Sequence, residues 1–446
     1  MIEPVIIGDA RLLAGDVREV LRSLPAESVQ CCITSPPYWG LRAYGTEPQD
    51  WPDGWRGELG QEPTPALFVE HLVEVFREVR RVLRPDGTLW LNMGDSYYGG
   101  KGQHGSSKAR RTAKERGYHQ SGGTVLMDTR PLDLPQEGLK PKDLCEIPSD
   151  VVRALRADGW WLRSRIPWLK RNAMPESADD RPTQAVEYVF LLSPSGRYFY
   201  DGEAVRGACA AVSVQRADYG WDCDRPSAKG GSAGQHTPRM GERFVPSSGR
   251  ARRNSDWWFE SWQGLYTDDD GEPLAFIVNP APFKGAHFAT FPPKLVEPMV
   301  KVGTSEKGCC PRCGKPWERV VEANYERLGD IKPTEKANDP AQGNNFASRA
   351  YGRARKHSAT IGWRPGCECG GEPIPCTVLD PFSGAGTTAL VAVQQGRRAI
   401  GIELNAGYNR MAERRIAKAL RPATSVDETT EGDLPLLAGK GTTDEV

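Results

Sequence analysis

At 446 residues, with 38% hydrophobic and 26% charged side chains, the chain is long enough for two or three domains or one large decorated domain, and its composition is ordinary for a soluble globular protein. No apolar run is long enough to cross a bilayer, and Met1-Ile2-Glu3-Pro4 does not open a signal sequence, so a cytoplasmic protein with no membrane partner is expected. Lys plus Arg and Asp plus Glu each number 58, so a polyanionic partner would be met by local patches, not by a global field.

Leu12 to Asp16 reads as a strand ending at Gly15-Asp16, and Val17 to Leu24 as a short helix with Val17, Val20, Leu21 and Leu24 on one face. The apolar run Val29 to Ile33 is a second strand, followed by Thr34-Ser35-Pro36-Pro37-Tyr38-Trp39. Two prolines with fixed φ and no N–H hold an extended backbone whose carbonyls stay free to accept hydrogen bonds. Ser35 adds a hydroxyl and Tyr38 a stacking face, so the stretch describes a pocket for an aromatic amine. A plain strand ending in a Pro-rich turn is the bland alternative.

Gly40 to Pro65 is a loop rich in Gly, Trp and Pro. Leu67 to Leu83 has apolar residues at helical spacing, Pro85-Asp86-Gly87 reads as a turn, and Thr88 to Met93 as a strand ending at Gly94-Asp95-Ser96-Tyr97. Residues 99–130 form a basic loop suited to phosphates, or simply to solvent. A helix from Pro148 to Gly159, a strand from Trp160 to Trp168 and a strand from Ala185 to Leu192 follow, with Arg197 to Tyr200 as the last strand's expected hairpin partner. Residues 202–275 are polar and Gly-rich, with Arg252, Arg253, Trp257, Trp258 and Trp262, a mixture compatible with nucleic acid or with plain surface packing.

Eleven cysteines form an odd set. Cys310-Pro-Arg-Cys313-Gly314 has the gap and following Gly of a zinc knuckle, and Cys367-Glu-Cys369 supplies a second, tighter pair. Four thiolates, Cys310, Cys313, Cys367 and Cys369, suit a closed structural Zn2+ site, with Cys309 as an alternative to Cys310. A zinc deaminase would need a His-x-Glu ahead of a Pro-Cys-x-x-Cys, which this chain lacks.

Thr377 to Thr388, Thr-Val-Leu-Asp-Pro-Phe-Ser-Gly-Ala-Gly-Thr-Thr, is a strand running through a Gly turn into a helix from Ala389 to Gln395, capped by Gly396. Arg398 to Leu404 is the next strand and Ala406 to Leu420 the next helix. Gly384 and Gly386 let a ligand approach the backbone, and Glu403 stands where a carboxylate can accept from both hydroxyls of a ribose. Gly384-x-Gly386-x-x-Ala389 also fits a dinucleotide fingerprint, but no second nucleotide-binding half accompanies it.

Taken together these segments resemble the S-adenosylmethionine-dependent DNA amino-methyltransferases, in the permuted order with the catalytic motif before the cofactor motif. The resemblance implies an α/β, Rossmann-like methyltransferase sheet with helices on both faces, plus inserted loops and a small zinc-ribbon-like insertion. It implies catalytic roles for Ser35, Pro36, Pro37 and Tyr38. It implies cofactor contacts from Asp16, Phe288, Asp380, Pro381, Phe382, Ser383, Gly384, Gly386, Thr387, Thr388, Glu403 and Leu404. The expected organisation is a catalytic half over 1–200, a target-recognition insertion over 201–276, a return to the core over 277–308, the cysteine insertion over 309–370, the cofactor half over 371–420 and an acidic tail over 421–446.

The chemistry so implied is transfer of a sulfonium methyl to the exocyclic amine of a base flipped out of double-stranded DNA, stacked on Tyr38 and hydrogen-bonded to Ser35 Oγ and the Pro36 carbonyl. Ser at position 35 resembles the cytosine-N4 enzymes; adenine-N6 methylation is the alternative. RNA or small-molecule amine methylation and an inactive DNA-binding module are further rivals. Carbon-5 methylation would need a Pro-Cys nucleophile, and Pro375-Cys376 lies in the wrong place for it. A cognate restriction endonuclease is a candidate partner.

Overall fold

In the computed structural model, which describes residues 3–99, 131–134, 136–170, 180–181, 184–205, 276–277, 291–329 and 353–421, every residue of Val29–Thr34 is buried. A strand buried along its whole length is covered on both faces. In chain order the strands are β1 (Val5–Ile7), β2 (Ala10–Ala14), β3 (Val29–Thr34), β4 (Gln49–Asp50), β5 (Arg56–Gly57), β6 (Leu83–Met93), β7 (Trp161–Leu169), β8 (Val186–Ser193), β9 (Phe276–Ile277), β10 (Glu318–Gly329), β11 (Arg353–Arg364), β12 (Thr377–Asp380) and β13 (Arg398–Glu403). The helices are α1 (Val17–Ser23), α2 (Pro65–Val82), α3 (Ile147–Ala157), α4 (Pro293–Gly303), α5 (Thr387–Gln394) and α6 (Ala406–Leu420).

Nine strands form one mixed sheet in the order β1-β2-β13-β12-β3-β6-β8-β7-β9. The run β2-β13-β12-β3-β6 is parallel, and β8 enters antiparallel between β6 and β7. Successive strand residues face opposite layers because the side-chain period is two. Thus Cys32, Leu89, Leu91, Leu379, Ile400 and Ile402 pack with residues of α1, α2 and α3. Cys31, Ile33, Trp90, Val378 and Ala399 pack with α4, α5 and α6 on the other side. The result is the expected α/β sheet with helices on both faces, and the permuted order is plain: β3 and β12, far apart in sequence, are neighbours.

Local chemistry explains the helix starts. Thr64 caps α2, its side chain accepting from Leu67 N with Pro65 at the first position, so the helix begins two residues before the apolar pattern does. Asp16 caps α1 in the same way, accepting from Arg18 N at 2.7 Å.

Two expectations are corrected. Pro85-Asp86-Gly87 is not a turn between elements: β6 runs from Leu83, and the register slips between Leu83 and Thr88 against Val29 and Cys31, so the triplet is carried as a bulge. Arg197 to Tyr200 is not the hairpin partner of β8, which pairs with β6 and β7 instead. There Ser195 Oγ donates to the Pro85 carbonyl and Phe199 N donates to the Asp86 carbonyl, so the segment closes over the β6 bulge. Between the cysteine pairs, the 309–370 insertion carries a two-stranded antiparallel hairpin, β10 with β11. Most of the basic loop 99–130, most of the 202–275 insertion and the tail beyond 421 lie outside the described residues. No described helix is long and apolar enough to cross a membrane.

Candidate active site at the carboxyl ends of the parallel strands

Open α/β sheets present ligands with the carboxyl ends of their parallel strands, where side chains are exposed and helix N-termini gather. Here Gly15-Asp16 follow β2, Ser35 follows β3, Pro381 follows β12 and Glu403 ends β13, and all of these line one cleft of about 1050 Å³, part of it open solvent. Pro37, Phe382, Ser383, Gly384, Thr387 and Leu404 complete the expected part of the wall.

The turn after β12 is built for close approach. Gly386 has φ +74° and caps α5, and a Cβ there would stand 2.7 Å from Ala412 Cβ, so only Gly lets α5 and α6 meet. Glu403 closes the turn from the side: Oε2 accepts from Gly384 N at 2.8 Å and Oε1 from Asn405 N at 2.7 Å. Burial pushes its carboxyl above the ordinary range, and these backbone amides pull in the opposite sense.

Asp380 is placed differently from what the resemblance implies. It is 2% exposed and does not line the cleft. Its Oδ1 accepts from Thr34 Oγ1 at 2.7 Å and Phe382 N at 3.1 Å, and its Oδ2 accepts from Thr388 Oγ1 at 2.8 Å. Burial raises its carboxyl to about 6 despite those three bonds. Asp380 and Thr388 therefore tie the two motifs together behind the wall, and Gly386 likewise sits in the packing. Asp16 does reach the cleft, but its carboxylate is also engaged by the helix cap and by Arg18 at 2.6 Å. Phe288 lies outside the described residues; Phe291 lines the cleft.

At the β3 end, Pro36 is buried and Ser35 and Tyr38 are half-buried. Ser35 Oγ lies 3.4 Å from both Tyr38 OH and Asn92 Nδ2. The Tyr38 hydroxyl donates to Glu187 Oε2 at 2.8 Å, and burial, reinforced by that carboxylate, holds the phenol well above its ordinary pKa. Asp95, at the end of β6, is likewise pushed up to about 6 by burial, against hydrogen bonds from Ser96 N and Ile147 N.

The sequence reading missed the loop after Tyr38. Tyr44, Thr46, Gln49, Trp51, Glu58 and Leu59 form a whole wall of the cleft, and Tyr408 of α6 adds to it. Glu58 pins the loop by accepting from Tyr44 N and from both the amide and the hydroxyl of Thr46. Trp51 stacks on His71 with ring centroids 3.8 Å apart, Arg18 lies over its ring at 4.0 Å, and His71 Nδ1 meets the fully buried Glu62 at 3.0 Å. The clue was the density of aromatics in a loop directly after the Pro-Pro stretch, since large apolar rings in a connection need something to cover.

Cys310, Cys313, Cys367 and Cys369 converge, with all four Sγ atoms within 4.8 Å of one another. A tetrahedral zinc tetrathiolate has S···S edges of about 3.8 Å from its Zn–S bonds of about 2.3 Å, so the donor set fits that ion. Arg312 N points at Cys310 Sγ at 3.4 Å, the knuckle's amide-to-sulfur turn. Cys309 is outside the cluster, exchanging backbone hydrogen bonds with Ile374, which resolves the register in favour of Cys310. The knuckle docks on the amino-terminal ends of the strands: Gln30 Nε2 donates to Gly314 O at 3.0 Å while its Oε1 accepts from Thr377 N at 2.7 Å, and Arg84 donates to Cys313 O.

A family model described as DNA methylase matches residues 29–310 and 376–414. The chain is similar to the type II methyltransferase M.XycI of Xanthomonas campestris pv. cyanopsidis, 33% identical over 93% of this chain and 90% of that one. It matches M.Cfr9I of Citrobacter freundii at 33% identity over the same shares. M.SmaI of Serratia marcescens is 30% identical over 92% of this chain and 91% of its own.

Proposed function

This chain belongs to the DNA methylase family acting on exocyclic N6 and N4 amines, and from that premise we propose that it transfers a methyl group from S-adenosylmethionine to the N4 amine of a cytosine flipped out of double-stranded DNA. The observation that carries the reading is a single cleft walled both by Ser35 and Pro37 after β3 and by the Gly384 turn and Glu403 after β12 and β13.

S-adenosylmethionine supplies an electrophilic methyl on a sulfonium. Glu403 is assigned to the ribose hydroxyls, and Asp16, Phe382, Leu404 and the Tyr44 to Leu59 wall to the adenine end. The amine of cytosine is a poor nucleophile because its lone pair is delocalised into the ring. Hydrogen bonds from that NH2 to Ser35 Oγ and to the Pro36 carbonyl favour a pyramidal nitrogen aimed at the methyl carbon, and stacking on Tyr38 fixes the ring plane. With S-adenosylmethionine held there, its methyl C–S bond would break as the N–C bond formed, a neutral thioether would leave, and the extra proton on the nitrogen would pass to solvent. Ser35 in this position supports cytosine over adenine. The joining of both motifs through Asp380 supports an active enzyme over an inert DNA-binding module.

The similarity to type II methyltransferases supports a role as the modification partner of a restriction endonuclease. A Zn2+ at the four thiolates belongs to the same reading as a structural ion, since the knuckle docks at the strand ends opposite the cleft.

Plasmid DNA from cells expressing the chain, digested to nucleosides and weighed by mass spectrometry, tests the proposal. N4-methylcytosine is the expected product. N6-methyladenine would transfer the reading to adenine, and neither base above background would overturn DNA amine methylation.

A further inference from the structure

Behind Tyr38 lies a group of polar side chains that methyl transfer as described leaves without a task. Glu187 stands at the start of β8 with its side chain 15% exposed. Its Oε2 accepts from Tyr38 OH at 2.8 Å and from Asn92 Nδ2 at 3.0 Å, and its Oε1 takes the Lys170 ammonium. Asn92 Nδ2 also lies 2.9 Å from Tyr38 OH and 3.4 Å from Ser35 Oγ. The space is filled: a Cβ at Gly94 would stand 2.7 Å from Tyr38 Cε2 and 3.2 Å from Glu187 Cγ. A ring that offered only an apolar stacking face would need no hydroxyl, and a phenol needing one acceptor could use a backbone carbonyl. Here an ionised acceptor, itself anchored by a cation, is used, and bonds of that kind are about twice as strong as neutral ones.

We propose that Glu187, anchored by Lys170, is a positioning residue for methyl transfer, acting through the Tyr38 hydroxyl and Asn92 to hold the Tyr38 ring and the Ser35 hydroxyl where the target amine must meet them. The inference rests on the reading of Ser35 and Tyr38 as the residues that contact the base. Its physical content is that the stacking plane and the amine's acceptor are set by one carboxylate rather than independently. Glu187 touches neither substrate nor cofactor in this scheme, so its loss changes where the base sits and leaves the donor's site alone.

The test is single-turnover methyl transfer to DNA by the full chain, with S-adenosylmethionine and DNA affinities measured separately. Glu187→Gln is expected to slow transfer by about tenfold to a hundredfold, the range for a small misplacement at a reacting centre, with both affinities unchanged. Tyr38→Phe, which removes one oxygen, is expected to do the same. The double variant is expected to be no slower than the slower single one, because both changes remove the same interaction. Wild-type rates in Glu187→Gln, or losses that multiply in the double variant, would overturn the proposal. If Glu187→Gln does not fold, Tyr38→Phe alone carries the test, and a wild-type rate there is equally decisive. A slow Ser35→Ala beside a fast Glu187→Gln sinks only this inference, whereas a fast Ser35→Ala sinks the base-pocket reading with it.

Discussion

Thr34 Oγ1 donates to Asp380 Oδ1 at 2.7 Å, a fully buried hydrogen bond between residues 346 apart in sequence. It adds a side-chain tie between the paired strands that lead into Ser35 and into the Gly384 turn. Because Thr388 Oγ1 holds the other oxygen at 2.8 Å, the start of α5 is drawn into the same knot.

Asp380 should therefore make stability depend on pH. Its carboxyl is raised from 3.8 to about 6, chiefly by burial. A raised acid contributes stability that is complete below its unfolded pKa and is lost as the pH climbs through its folded one. The loss at neutral pH is on the order of 3 kcal/mol. Asp380→Asn, with Thr388 free to turn its hydroxyl to the Ile33 carbonyl at 3.3 Å, is expected to lack this slope. Urea unfolding of both proteins between about pH 4 and pH 7 checks it; an identical pH slope in the two would refute the assignment.

Ser35→Ala removes the proposed acceptor for the target amine but leaves the Gly384 turn and Glu403 untouched. Transfer is expected to fall by about a hundredfold, with S-adenosylmethionine binding by calorimetry unchanged. Weakened cofactor binding would mean that Ser35 has been given the wrong role.

Glu403→Gln should do the reverse. It replaces a carboxylate that accepts from Gly384 N and Asn405 N and faces the cleft. The cofactor Kd is expected to rise by about tenfold to a hundredfold, the equivalent of losing one charged acceptor. Since burial raises the Glu403 carboxyl, wild-type affinity is expected to fall on acidification sooner than an ordinary carboxylate would require, and the Gln variant to lose that dependence. Equal pH profiles in titration calorimetry would count against the ribose assignment.

The four-cysteine cluster predicts one zinc per chain by elemental analysis of protein purified without chelator. Cys313→Ser together with Cys367→Ser is expected to abolish it and to lower the melting temperature by about 5 °C or more. The knuckle leans on Gln30, which also holds Thr377 N at the start of the cofactor strand. Gln30→Ala should therefore keep the metal while shrinking the further loss caused by removing it. Metal-free wild-type protein, or zinc retained by the double serine variant, would remove the site.

Much of the site was legible in the chain because its parts are local. Pro36-Pro37 sets its own backbone, Gly384 and Gly386 mark a turn with positive φ at both, and Cys310-x-x-Cys313 places two thiols within one knuckle. The short apolar runs of β3, β12 and β13 announced buried strands, and a resemblance in motif order predicted the permuted sheet.

What only the folded molecule decided was each residue's facing and partner across long stretches of chain. Asp380 reads as a cleft residue in sequence, yet the pleat turns it inward onto Thr34 and Thr388. Trp51 and Tyr44 read as loop aromatics, yet they wall the cleft, and Arg197 to Tyr200 reads as a strand but closes a bulge instead. Glu187 carries no motif at all, and its bond to Tyr38 spans 149 residues. Local backbone preference is written residue by residue, whereas burial, hydrogen-bond partnership and the direction of a side chain are settled only when distant segments compete for the same space.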